Sequence, residues 1–184
     1  MVKVAIDIET SGLDAGFHDI LEIGVIVLDE DFNPTDMTFN SYIKPLNPIA
    51  SDAYAMKVNG LDIEHLHDYA PSVTQVKSMF IEWFEDLFTG ERVQAVAHNA
   101  PFEISFLKVF FNQFFPRFFH YRWRDTQTAA ALLRDAGVLK VPSTGLDFLS
   151  NHFGIIREKA HTALDDAKVC ALVYQKELNL IKTL

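Results

Sequence analysis

Apolar residues cluster early in the chain in runs that suit extended backbone. Residues 4–8, 20–28 and 38–43 are such runs, rich in isoleucine and valine, and the third is closed by a turn at Pro45 and Pro48. Beyond them the period lengthens. Short helical pieces are predicted within 51–65 and a longer helix over 72–88. Residues 93–98 read as a short buried strand, and 101–115 as a helix with proline in its first turn. A strand near 121–124 leads into a helix over 126–135, another helix covers 145–153, and a last one runs through 161–181. Three strands followed by alternating helices and strands predict an α/β fold, a mixed sheet with helices on both faces. The chain has 184 residues and no internal repeat, so one domain over 1–184 is expected.

Composition narrows the setting. Hydrophobic residues make up 49% of the chain, enough for a substantial core, yet no apolar run has the length of a membrane span. A strand that begins at Val2 leaves no room for a targeting peptide. The single cysteine, Cys170, has no partner for an internal disulfide, and a reducing, cytoplasmic setting is expected. The formal net charge of −9 argues against a protein that coats long duplexes by neutralising phosphates. It is compatible with an enzyme that grips a strand end through bound divalent metal.

Two places along the chain set carboxylates where apolar residues would be ordinary. In the first strand Asp7 and Glu9 point to one face, roughly 7 Å apart along it, while Val4, Ile6 and Ile8 fill the other. A metal ion would offset their repulsion and desolvation, and hard oxygen ligands suit Mg²⁺ or Mn²⁺. A solvent-exposed face accounts for the pair equally well. In the last helix, Thr162 and Asp165 have the spacing of a capping box, which gives Asp165 a structural task. Asp166 has no such task. It turns towards the face formed by Ala163, Ala167, Cys170 and Tyr174, and an acid on that side needs a partner. His161 lies just before the cap, within reach of the same place.

With the segment around His98 added, the chain resembles a known family, the DnaQ-like 3′–5′ exonucleases of the DEDD superfamily, in the branch that has a histidine in its third motif. Asp7-Ile8-Glu9-Thr10-Ser11-Gly12-Leu13 matches the first motif. His98-Asn99-Ala100-Pro101-Phe102 matches the second, and His161 with Asp166 the third. The order agrees and the likeness spans nearly the whole chain. Ala55-Met56-Lys57-Val58-Asn59-Gly60-Leu61 is similar to a segment these enzymes carry between the first two motifs.

The resemblance implies an RNase H-like fold with two divalent metals. It assigns Asp7, Glu9 and Asp166 to the first metal, and Asp7 with support from Glu103 to the second. It makes His161 the base that takes a proton from water. Single-stranded 3′ ends would be the substrate, with the backbone around Thr10 near the terminal 3′-hydroxyl, Leu13 wedged against the base, and Asn99 and Phe102 as further contacts. One departure stands out: the family has aspartate where this chain has Glu103, which moves the carboxylate by roughly a bond length. The alternative function is a non-catalytic nucleic-acid or protein-binding module on the same fold, disabled by that change.

Other residues have plainer expected roles. Asp125 is expected to cap the helix that follows it. Phe102, Phe106, Val109 and Phe110 fit one buried helical face, with Phe111, Phe114 and Phe115 partly outside it and available for a homodimer contact. His65, His67 and His120 lack metal-ligand spacing.

Overall fold

The computed structural model describes residues 1–157 and 161–183. Five strands form one sheet: β1 (Lys3–Thr10), β2 (Ile20–Leu28), β3 (Pro34–Tyr42), β4 (Gln94–Ala97) and β5 (Arg124–Asp125), in the order β3-β2-β1-β4-β5. The first three pair antiparallel, and β4 and β5 add in parallel beyond β1. The helices are α1 (Ala53–Asn59), α2 (Ile63–Tyr69), α3 (Val73–Phe88), α4 (Ala100–Phe111), α5 (Phe115–Phe118), α6 (Thr126–Asp135), α7 (Leu146–His152) and α8 (Ala163–Lys182). The mixed sheet with helices on both faces is the architecture expected.

Alternation along β1 sorts its residues between two cores. Val4, Ile6 and Ile8 join Ile23, Val25 and Val27 of β2 against a bed of phenylalanines from α3, α4 and α5, among them Phe80, Phe84, Phe106 and Phe118. Phe80 alone is in ring contact with Phe39, Phe84, Phe111 and Phe118, which locks the packing of this side. On the other face Ala5, Ile26 and Val96 meet Ala167, Cys170 and Ala171 of α8. Small residues on both partners let this helix lie close to the sheet. A third cluster, including Ala130, Leu133, Leu149 and Val173, ties α6 and α7 to the flank of α8. Among the described residues no helix is long and apolar enough to cross a membrane.

Several expectations shift. β3 begins at Pro34, not at residue 38, because an edge strand with one open side tolerates proline and the polar Thr35 and Asp36. The helix expected over 101–115 stops at Phe111. Asn112 adopts φ 49° and ψ −127°, and a 3₁₀ turn and the one-turn α5 around Pro116 follow. The strand near 121–124 shrinks to Arg124–Asp125. Val109, placed on the buried face by period alone, is exposed. Phe111 and Phe115, read as partly outside the core, are buried, so of those three rings only Phe114 is exposed for a contact.

Candidate metal centre and adjoining cleft

Asp7 and Glu9 leave β1 on the face that α8 crosses, and Asp166 descends from the first turn of α8. One carboxylate oxygen from each lies within 4.8 Å of the others. Gly24 makes this approach possible. It stands directly across from Asp7 on β2, and a Cβ there would lie 2.3 Å from the backbone of Ala163 and Leu164. The start of α8 therefore rests on the bare backbone of the strand.

Electrostatics show how far the three acids are from comfortable as anions. Burial pushes the Asp7 carboxyl well up, and the charges of Glu103, Asp166 and Glu9 push it further. Burial, then Asp166 and Glu22, carries Glu9 up to about 7, against a downward pull from Arg157. Asp166 is raised by burial, opposed by Arg157 and His161. The Arg157 guanidinium pairs with both Asp166 and Asp147. Close, half-buried to buried carboxylates of this kind are an oxygen donor set for a hard divalent cation, which would stabilise them as anions. The residues present fit that group.

Glu103 faces the same place from α4. It is buried, its own pKa is pushed well up by burial, and its Oε2 has no hydrogen-bond partner among the described residues. It lies outside the tight group formed by Asp7, Glu9 and Asp166. His161 is half-buried just before α8 and holds a left-handed backbone, φ 64°. The helix starts at Ala163 with Thr162 at its N-cap, as expected, but the Thr162 side chain makes no cap bond. The N–H of Ala163 instead donates to Glu22 Oε2 of β2, at 3.3 Å.

Next to the carboxylates opens a cleft of about 580 Å³, walled by Glu9, Thr10, Leu13, Tyr54, Asn59 and Phe102, among others. Three of the expected substrate contacts, Thr10, Leu13 and Phe102, meet here. Leu13 is 82% exposed at the rim. The Thr10 backbone is fixed from two sides: its hydroxyl donates to the Gly12 carbonyl at 2.7 Å, and its carbonyl accepts from Asn59 Nδ2 at 3.1 Å. Asn99 is not among the residues lining the cleft. It is exposed, in a left-handed turn with φ 70°, and its N–H donates to Asp125 Oδ1. Asp125 also accepts from Gln127 N–H, the capping role expected of it. His98 is a structural residue of the same turn. Its Nδ1 meets Thr126 Oγ1 at 2.8 Å, and burial pushes it down to about 4, so it is neutral.

Sequence reasoning missed Glu22, Arg157 and Asn59 at this site. A lone glutamate inside the apolar run ILEIGVIVL was a visible signal for Glu22. Asn59 lay in a segment noted only for its resemblance. Arg157 offered no periodic signal, since its partners lie in two separate helices.

Comparison with known proteins agrees with this geometry. The chain is 29% identical over 185 residues to the PolC-type DNA polymerase III of Thermotoga maritima, an alignment covering 97% of this chain but 12% of that protein. It is 29% identical over 195 residues to ribonuclease T of Shewanella denitrificans, covering 98% of this chain and 82% of the relative. Among solved structures, the nuclease domain of 3′hExo, a DEDDh family member bound to rAMP, superposes with a TM-score of 0.72 at 20% identity, covering 97% of this chain and 92% of the other. The sequence pattern of the RNase_T exonuclease family matches residues 4–174, and the chain belongs to that family.

Proposed function

We propose that the protein is a metal-dependent 3′–5′ exonuclease that releases nucleoside 5′-monophosphates from single-stranded ends. The observation that carries this reading is the convergence of Asp7, Glu9 and Asp166 oxygens within 4.8 Å, beside a cleft with apolar walls. In this reading Asp7, Glu9 and Asp166 would hold one divalent ion, Mg²⁺ or Mn²⁺, and Asp7 would help hold a second, with Glu103 in support. Bound there, such ions would supply charge stabilisation for the oxygens of an in-line phosphoryl displacement. His161 takes the proton of the attacking water, from a position before α8 that lets it reach over the carboxylates. The fixed backbone at Thr10 receives the terminal 3′-hydroxyl, Leu13 wedges the terminal base, and Phe102, which lines the same cleft, adds a further base contact. The acting unit is a single exonuclease domain, in the cytoplasm. One relative is named for RNA and another for DNA, so the reading covers both polymers; a protein that separates them does so through contacts to the 2′-hydroxyl.

The deciding experiment follows mononucleotide release from matched DNA and RNA single strands with Mg²⁺, Mn²⁺ or EDTA. Asp7→Asn and Asp166→Asn serve as controls. Release with either metal, none in EDTA and none from the two variants is expected. Undiminished turnover in EDTA or by Asp166→Asn would falsify the metal-site assignment. Binding of strands without hydrolysis under every condition would establish the binding-module reading, to which the glutamate at 103 points.

A further inference from the structure

Glu22 is the sole charged residue of β2 and is 1% exposed. A carboxylate so deeply placed needs partners, and its neighbours identify them. On the sheet Glu22 stands across from Glu9 on one side and Tyr42 on the other, and Gly24, two residues on, stands across from Asp7 and Asn40. Its side chain therefore enters the face on which α8 begins. There Oε2 accepts the N–H of Ala163, the first residue of that helix, and a side-chain hydrogen bond joins Glu22 to Asn40 of β3. The leading N–H groups of a helix have no partner within it, and a negative charge at that end is favourable. The contact fastens a helix end to an inner strand of the sheet, 141 positions away in the chain.

What hangs from that helix end gives the contact its use. Asp166 is three residues beyond Ala163 and His161 two before it. Gly24 leaves the helix backbone in direct contact with β2, with no intervening side chain to set its height. We propose that Glu22 is a positioning residue. It clamps the N-terminus of α8 to β2 and so sets Asp166, and His161 ahead of it, against Asp7 and Glu9. The clamp rests on the exonuclease reading for the roles of those four residues. A rival use for Glu22, as a further metal ligand, fits the geometry less well: it lies outside the group of converging oxygens, and one of its own is engaged by Ala163.

Glutamine keeps an acceptor for the Ala163 N–H and removes the charge, whereas alanine removes both. Three readouts on the full chain separate the cases: hydrogen exchange at the Ala163 amide without metal, Mn²⁺ affinity by calorimetry, and the split of kcat from KM on a single strand. For Glu22→Ala, exchange at Ala163 quickens about tenfold, the scale of a lost helix cap. Mn²⁺ affinity falls and kcat drops with KM little changed. For Glu22→Gln all three return close to wild type. Asn40→Ala, at an exposed strand position, loosens the same clamp and moves exchange and Mn²⁺ affinity in the same direction by about threefold; it decides the matter should Glu22→Ala not fold. The clamp is overturned if Glu22→Ala, or Asn40→Ala in its place, leaves Ala163 exchange and Mn²⁺ affinity unchanged. It is also overturned if Glu22→Gln is as defective as Glu22→Ala, which makes Glu22 a charge or a ligand. A wild type that hydrolyses no strand overturns the exonuclease reading instead, and exchange and Mn²⁺ affinity still decide the clamp.

Discussion

Glu103 carries one methylene more than the aspartate that the family resemblance leads one to expect, and the extra reach has a consequence for metal choice. The side chain is buried, and Oε2 has no hydrogen-bond partner among the described residues. Mg²⁺ demands near-octahedral oxygen geometry at short distances, so a displaced carboxylate hinders it more than Mn²⁺. Initial rates are expected to be higher with Mn²⁺ than with Mg²⁺. Glu103→Asp should narrow the gap by raising the Mg²⁺ rate, and Glu103→Gln should lower both. A Glu103→Gln enzyme equal to wild type with either ion makes the carboxylate a bystander. Glu9 allows a test without catalysis. Its folded-state pKa is raised to about 7 from 4.5, so in EDTA the folded state holds a proton there that the unfolded chain releases. The stability that accompanies the proton is complete below pH 4.5 and is lost as pH rises through about 7. Thermal melts of wild type in EDTA should therefore fall between pH 5 and pH 8. Glu9→Gln should flatten that fall and melt about 5 °C higher at pH 8. Equal slopes would mean that a neighbouring cation keeps Glu9 ionised, and Arg157, whose charge pulls that carboxyl down, is the candidate. Asp7, Glu9 and Asp166 were legible in the sequence because simple periods decide which face they share. Glu22 stands out in its apolar run, but its partner was hidden, because in a strand buried at every position alternation does not say what each face meets.

At the scale of elements the site depends on how closely one helix lies on one strand. The sequence marks β2 and α6 at the very residues where they occur, because a long run rich in isoleucine and valine and an Asp-Thr start leave little choice. The break of α4 at Asn112 was not legible: the phenylalanine run continues the helical period through it, and only tertiary packing of Phe111, Phe115 and Phe118 turns the chain. The closeness of α8 to β2 was also hidden, since a glycine in a strand has several common uses. Its use here predicts the effect of Gly24→Ala. The new Cβ meets backbone atoms of Ala163 and Leu164 at 2.3 Å, and backbone cannot swing aside as a side chain does. The first turn of α8 must rise, and Asp166 with it. Overpacking of this kind costs about 1–3 kcal/mol of stability, which a well-packed fold survives. Activity should suffer far more, about 10²-fold, because metal geometry and the reach of His161 fail together. Denaturant melts and Mn²⁺-dependent rates measured side by side settle this; a variant with a stability loss of that size and near-normal turnover shows that the site does not depend on the seat of α8.

For the whole molecule, charge is the informative quantity. The chain has 25 acidic and 16 Lys and Arg residues, a formal net charge of −9, yet the proposed substrate is a polyanion. The cleft beside the carboxylates repeats the pattern locally. Glu9, Asp14 and Asp52 line it, and no lysine or arginine is among its described walls. Attraction at long range cannot then be the source of binding. The strand end has to be held by close contacts: a backbone pocket at Thr10, apolar surfaces at Leu13 and Phe102, and cations bound between the acids. This makes a prediction about salt. For single strands the slope of log K against log salt is about −0.7 for each phosphate neutralised by a basic side chain. With one or two such contacts, raising monovalent salt from about 50 to 200 mM at fixed Mn²⁺ should raise KM by no more than about sevenfold. Six contacts would give about 300-fold over the same range. The same argument makes a trinucleotide nearly as good a substrate as a 20-mer, because little binding energy comes from distant phosphates. Steady-state kinetics across salt and strand length test both halves. A steep slope together with strong preference for long strands would place a basic surface elsewhere on the active particle, on a partner or a second copy of the chain. A shallow slope with length-independent rates fits an enzyme that recognises an end and little else.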